Sequence, residues 1–347
     1  MRRVLKVGAV LAAGALVLTA CGGSDDDSDA GATSPAASDI KVGLAYDIGG
    51  RGDQSFNDSA AAGLDKAKED FGVQTKELEA GTGETDAQKA ERLRLLASDG
   101  YNPIIAVGFA YAKSVGQVSK EFPDVNFAII DDASADSEGP NVAQLVFAEN
   151  EGSFLVGTVA AQASKTGNVG FVGGVNVPLI KKFEAGFTAG AQAVNPNIKV
   201  QVKYLTEPPD FSGFGDPAKG KTAAEGMFQQ GADVVYHAAG GSGSGVFTAA
   251  AAADGLAIGV DSDQYLTAEE SVKDVIITSM LKRVDVAVYK MIESAVDESV
   301  LTGVVTFDLA EEGVGYSLSN PAVEPYTAET DDYATQIKDG TITVPES

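Results

Sequence analysis

Apolar and polar positions alternate in blocks along most of this chain, and the spacing within the blocks switches between two periods. Short continuous apolar runs at 40–46, 73–78, 104–109, 127–130 and 142–147 predict strands. Between them, 56–71, 85–98 and 111–122 carry apolar residues at helical spacing. A second series follows, with strands at 168–172, 198–205, 234–238, 256–260 and 275–280 and helices at 151–164, 179–194, 218–230, 245–253 and 283–298. Strands apolar on both sides, alternating with amphipathic helices, predict α/β domains with parallel sheets covered on both faces. Two series predict two such domains. Gly72, Gly100, Gly231 and Gly255 each end a helical run just before a strand, where C-cap glycines belong. After Val314 the pattern gives a strand-like 315–318 and a short helix near 331–338.

The N-terminal end breaks this pattern. A basic stretch, 1–6, precedes an apolar run at 7–18, too short to span a bilayer, and then Leu18-Thr19-Ala20-Cys21. This order looks like a bacterial lipobox. It predicts a lipoprotein signal peptide at 1–20, acylation of Cys21, and a position on the extracytoplasmic face of the cell membrane. Arg2-Arg3 leaves the export route, general or twin-arginine, open. Residues 22–38 hold no apolar side chain larger than alanine, which predicts a flexible acidic tether over 21–39.

Charge narrows the partners. The whole chain carries 25 basic and 50 acidic side chains. Without Arg2, Arg3 and Lys6 the mature chain carries 22 basic residues and a formal charge of −28. Such a surface repels phosphates and argues against nucleic acid and against adsorption to anionic lipid. Cys21 is the sole cysteine, so no disulfide staples the fold. The single His237, inside an apolar run, reads as strand packing or a pocket wall rather than a metal ligand. No cofactor and no metal is expected. Asp131-Asp132 reads as a surface carboxylate pair.

In open α/β sheets, ligands sit beyond the carboxyl ends of strands. After the first strand the chain reads Asp47-Ile48-Gly49-Gly50-Arg51-Gly52-Asp53-Gln54-Ser55-Phe56-Asn57-Asp58. The glycines let a loop fold tightly against a ligand, Ser55 or Asn57 could cap the next helix, and Phe56 could project into a cleft. No Gly-Lys-Ser/Thr follows, so this is not a phosphate loop of the Walker type.

That segment resembles the signature of the basic membrane protein family of ABC-transporter substrate-binding lipoproteins, which are similar to purine nucleoside receptors. The resemblance continues in order through 107–109, 122–127, 130–131, 214–221, 231–235, 258–264 and 278–282. It implies a type I periplasmic-binding-protein fold: two Rossmann-like lobes with parallel sheets, joined by a three-pass hinge. The lobes implied are 40–148 plus 282–312 and 149–281 plus 313–347. Carried onto this chain, the resemblance has Phe56 and Phe214 sandwich a base, Asp47 and Asn57 line the same end, and Gly240, Asp261 and Lys282 hold a ribose. One departure is Lys113, which stands near a place where family members often carry an acidic residue facing a purine edge.

The implied function is a lipid-anchored, monomeric receptor that carries a nucleoside to ABC permease subunits without chemistry. A sugar or other small polar metabolite is the alternative ligand on the same fold. A tethered nucleoside hydrolase is disfavoured, because no nucleophile–base–orienter set is visible. A DNA-binding regulator is disfavoured by the leader standing where a headpiece would sit.

Overall fold

The computed structural model describes residues 39–81 and 83–347. The predicted leader, Cys21 and nearly all of the tether lie outside the described residues. The first sheet is built from β1 (Lys41–Ala45), β2 (Gln74–Leu78), β3 (Ile104–Ala106), β4 (Phe127–Ile130) and β5 (Val142–Phe147). Its helices are α1 (Phe56–Phe71), α2 (Asp86–Ser98) and α3 (Ala112–Glu121). The chain then builds β6 (Asn168–Val175), β7 (Lys199–Thr206), β8 (Val234–Ala238), β9 (Leu256–Asp261) and β10 (Ile276–Lys282). With these come α4 (Glu149–Ala163), α5 (Pro178–Val194), α6 (Pro217–Gln229), α7 (Gly243–Ala252) and α8 (Gln264–Thr267). The remaining elements are α9 (Val284–Val296), β11 (Gly303–Phe307), β12 (Val314–Tyr316) and α10 (Glu324–Lys338).

The strand orders are β2-β1-β3-β4-β5-β11 and β7-β6-β8-β9-β10-β12. The two sheets therefore correspond strand for strand, β1 with β6 through β5 with β10. Among the described residues, every pairing of two strands is parallel except β12 on β10. Val42, Leu44, Ile105 and Ile129 in one sheet, and Val169, Phe171, Val235 and Ile258 in the other, are wholly buried. Burial on both faces explains why these strands read as continuous apolar runs. The chain passes between the sheets three times: after β5, after β10 and between β11 and β12. This is a type I periplasmic-binding-protein architecture with a three-pass hinge.

Three details differ from the sequence reading. β11 carried no apolar signature because it is an edge strand whose Val304 is 58% exposed. α10 begins at Glu324, seven residues before the predicted helix, over a polar stretch with little periodicity. After α7 the left-handed position is held by Asp254, at φ +50°, not by Gly255. Gly255 instead donates its N–H to Ala250 O at 3.0 Å, and a Cβ there would press on the Phe228 ring. Gly72, at φ +66°, does cap α1.

Candidate functional site

The carboxyl ends of both sheets face one cavity, enclosing about 560 Å³ of space that is partly open to solvent. Asp47, Phe56, Asn57, Phe214, Gly240, Asp261 and Lys282, scattered over more than 230 positions of sequence, all lie on its wall. Asp53, Phe109, Asp131, Ile180 and Phe183 join them there. Lys113 does not: it is exposed on α3.

The first wall is the loop between β1 and α1. Its organiser is Asp53, which sequence reasoning passed over. Asp53 Oδ1 accepts from the Ser55 and Asp58 N–H groups at 2.9 and 3.1 Å, and Oδ2 from the Asn57 N–H at 2.9 Å. This carboxylate caps α1, the role expected of Ser55 or Asn57. Asn57 is spent on the loop: its Oδ1 accepts from Asp47 N at 3.0 Å, and its Nδ2 donates to Ile48 O and Asp53 Oδ2. Ser55, wholly buried, sends its hydroxyl across the cleft to Asp261 Oδ2 at 2.7 Å. The fixed loop turns Phe56 and Asp47 toward the cavity. Burial pushes the Asp47 carboxyl up to about 6, against the pull of its hydrogen bond from Ile48 N.

The opposite wall is Phe214, in a short turn after β7. It lies over Gly174 of β6, where a Cβ would overlap its ring. Phe109, from the other side of the cleft, meets Phe214 edge-on at 6.4 Å and Phe211 at 5.8 Å. Gly240 has φ +52°, and a Cβ on it would stand 3.0 Å from Phe214 O, so a side chain there would be strained and crowded.

Charge concentrates around Lys282, the last residue of β10, which is 2% exposed. Its Nζ donates to Asp131 Oδ2 at 2.6 Å and stands 4.0 Å from both Asp261 Oδ1 and Glu149 Oε1. It also sits 4.7 Å from the Phe56 ring centre, a cation–π distance. Burial pulls the ammonium pKa down, but the three carboxylates outweigh it and hold the pKa above the ordinary lysine value. Burial raises Asp261 to about 6, with Lys282 and the Ser55 hydroxyl opposing. Glu149 is buried, neither of its carboxylate oxygens has a hydrogen-bond partner among the described residues, and burial raises its pKa further still. The reading of Asp131-Asp132 as a surface pair is thus corrected for Asp131, whose side chain is 5% exposed. The signal that would have found it is its place just beyond a strand's carboxyl end. His237 is fully buried on β8 and hydrogen-bonded through Nε2 to Gln264 at 3.1 Å, away from the cavity wall.

Two phenylalanine rings and a buried ion cluster thus line one cavity at the carboxyl ends of both sheets. The family model described as ABC transporter substrate-binding protein, PnrA-like, matches residues 40–347. The chain belongs to this Bmp family. It is 34% identical to the ABC transporter nucleoside-binding protein BmpA of Lactococcus lactis, over 99% of each chain. It is 36% identical to a CD4+ T-cell-stimulating antigen of Listeria innocua, over 99% of this chain and 98% of that one. An uncharacterised lipoprotein of Pyrococcus abyssi is 35% identical over 82% of this chain and 70% of that one. Among solved structures, an ABC transporter solute-binding protein of Aeropyrum pernix superposes with a TM-score of 0.76 at 30% identity, over 89% of this chain and 94% of that one. As a Bmp-family member the chain is a substrate-binding protein of an ABC transporter. It takes a small-molecule ligand and meets permease components outside the cytoplasm.

Proposed function

We propose that this Bmp-family receptor binds a nucleoside, with a purine the favoured base, in the interlobe cavity and passes it unaltered to its permease. The observation that carries the reading is one cavity lined by Phe56, Phe214 and the Lys282 ion cluster. Two aromatic faces suit a flat base, each stacking contact contributing about 1–3 kcal/mol in nucleic-acid systems. Together they supply much of the roughly 8 kcal/mol of a micromolar complex. Asp261 and Lys282 suit the hydroxyls of a sugar, and a partnered carboxylate–ammonium pair avoids the cost of an isolated buried ion. The Lactococcus relative, a nucleoside-binding protein by name, supports the same ligand class.

The closing lobes are proposed to comprise 40–148 with 282–312 and 149–281 with 313–347. Ligand contacts to both would shift the chain toward its closed state. Cys21 is proposed to be acylated and to hold the receptor at the membrane, a reading supported by the lipoprotein name of the Pyrococcus relative. Titration calorimetry of ligand-stripped protein against purine and pyrimidine nucleosides tests the ligand class. Micromolar or tighter binding of at least one nucleoside is expected. Ribose competing as well as the nucleoside would favour the sugar reading, and no heat with any nucleoside would overturn the proposal.

A further inference from the structure

The single histidine of the chain lies off the cavity wall, yet it touches a side chain that bonds across the cleft. His237, on β8, is wholly buried and meets Gln264 Oε1 through Nε2 at 3.1 Å. Gln264 opens α8 and is 2% exposed. Its Oε1 also accepts from the Val260 N–H at 2.9 Å, and its Nε2 donates to Gln54 O, in the β1–α1 loop, at 3.0 Å.

These partners fix every proton. Val260 brings a donor, so it meets the carboxamide oxygen; Gln54 brings a carbonyl, so it meets the nitrogen. His237 therefore faces an acceptor and carries its proton on Nε2. Nδ1 is buried with no hydrogen-bond partner among the described residues, so no acceptor draws the proton to that side. Burial lowers the imidazole pKa to about 4, against the Gln264 bond, which leaves the ring neutral at pH 7.

Glycines make room for the pair. A Cβ on Gly243, the first residue of α7, would overlap the imidazole, and one on Gly259 would stand 2.7 Å from Gln264 Oε1. Phe247 meets the ring edge-on at 5.1 Å. A carboxamide turned over would set its amino group against two donors and its oxygen against Gln54 O. Gln54 is followed by Ser55 and then by Phe56 on the cavity wall, so whatever holds Gln54 holds the loop that presents that ring.

We infer that His237 is a positioning residue for ligand retention: its Nε2–H holds the Gln264 carboxamide with the amino group turned across the cleft, where it ties the Phe56 loop to the second sheet. The role needs neither metal nor charge, and it does not depend on the ligand being a nucleoside.

Isotope labelling of histidine nitrogen gives one imidazole to observe by NMR. Nε2 is expected to carry the proton at pH 7, and a proton on Nδ1 overturns the inference. Stopped-flow dissociation then reads the role, with the tightest binder among adenosine, guanosine, cytidine and uridine as the probe. His237→Phe keeps a ring and loses the donor. It is expected to release the probe about tenfold faster, with its association rate unchanged within about twofold. His237→Gln, whose amide nitrogen reaches the place of Nε2, is expected to bring release back to within about threefold of wild type. In a Gln264→Met background, His237→Phe is expected to add nothing. Wild-type release from His237→Phe, equal release from His237→Gln and His237→Phe, or effects of His237→Phe and Gln264→Met that add in full would each mean the ring only packs, and overturn the inference. Should His237→Phe fail to fold, Gln264→Met carries the test, and wild-type release from it overturns the inference. Should none of the four probes bind, the nucleoside reading falls and small-angle scattering of the unliganded chains decides. A larger radius of gyration in His237→Phe and Gln264→Met than in wild type supports the inference, and equal radii overturn it.

Discussion

The Ser55 hydroxyl reaches across the cleft and donates to Asp261 Oδ2 at 2.7 Å, joining the loop that starts α1 to the last residue of β9. Ser262 Oγ returns a bond to Ser55 O at 2.8 Å, and Gln264 Nε2 donates to Gln54 O at 3.0 Å. Residues 54 and 55 of one lobe are thereby docked on residues 261–264 of the other. Ser55→Ala removes a donor from a buried carboxylate, a change of about 1.5–3 kcal/mol for a hydrogen bond to a charged group. Ligand affinity should fall about tenfold to a hundredfold in titration calorimetry. Small-angle scattering of the unliganded variant should show a larger radius of gyration than wild type. Unchanged affinity and unchanged scattering would mean the strap does not stabilise closure.

Phe214 is held in place from below by the absence of a side chain at Gly174. Gly174→Ala therefore displaces the ring without touching any charged group. Its affinity loss should approach that of Phe214→Ala, roughly tenfold to a hundredfold if the ring stacks on a base. Gly174→Ala binding ligand as wild type does would show that the position of this ring is immaterial.

Ligand affinity should depend on pH through Asp261. Burial raises its pKa to about 6, so the acceptor is ionised above pH 6 and protonated below it. If the ionised form accepts a ligand hydroxyl, binding loses up to about tenfold per pH unit as pH falls below 6 and is flat above pH 7. Calorimetry at pH 5, 6 and 7.5 checks this. Asp261→Asn should lose affinity at neutral pH and lose the Asp261 share of the acid dependence, leaving the share of Asp47, whose carboxyl also stands at about 6 on the same wall.

Glu149 and Lys282 should respond in opposite ways. Lys282→Met leaves the buried carboxylates of Asp131 and Asp261 without their cation and should cost about 3–5 kcal/mol of stability. Glu149 has a folded-state pKa raised from 4.5 to about 8 by burial, so its contribution is fully present below pH 4.5 and is lost as pH rises through 8. Glu149→Gln should match wild type in urea unfolding near pH 4 and exceed it at pH 8.5. Equal curves at both values would mean that this carboxyl ionises as an exposed one does.

The fold was legible because both sheets are buried on two faces, which writes each central strand as an apolar run. Edge position hid β11, whose outward valine resembles loop sequence. The seven cavity residues named from sequence were found by family resemblance and by the rule that ligands gather at strand ends. The strand-end rule applied equally to Asp131, but a neighbouring aspartate made it look like solvated surface. Asp53 was hidden for another reason. Its carboxylate serves backbone N–H groups two, four and five positions further along the chain while it stands ahead of the helix, so Ser55 and Asn57, nearer the start, looked like the caps. Ser55 was free for Asp261 only because Asp53 had taken that duty.

On the proposed reading, the cavity lined by Phe56 and Phe214 grips a nucleoside and leaves it whole. Ligand-stripped protein can be incubated with a nucleoside mixture, desalted, denatured, and the released small molecules identified by mass spectrometry, beside a Phe56→Ala/Phe214→Ala double variant. Intact nucleoside near one per protein is expected from wild type and little from the variant. Free base with sugar from wild type, or equal nucleoside from both proteins, would contradict it.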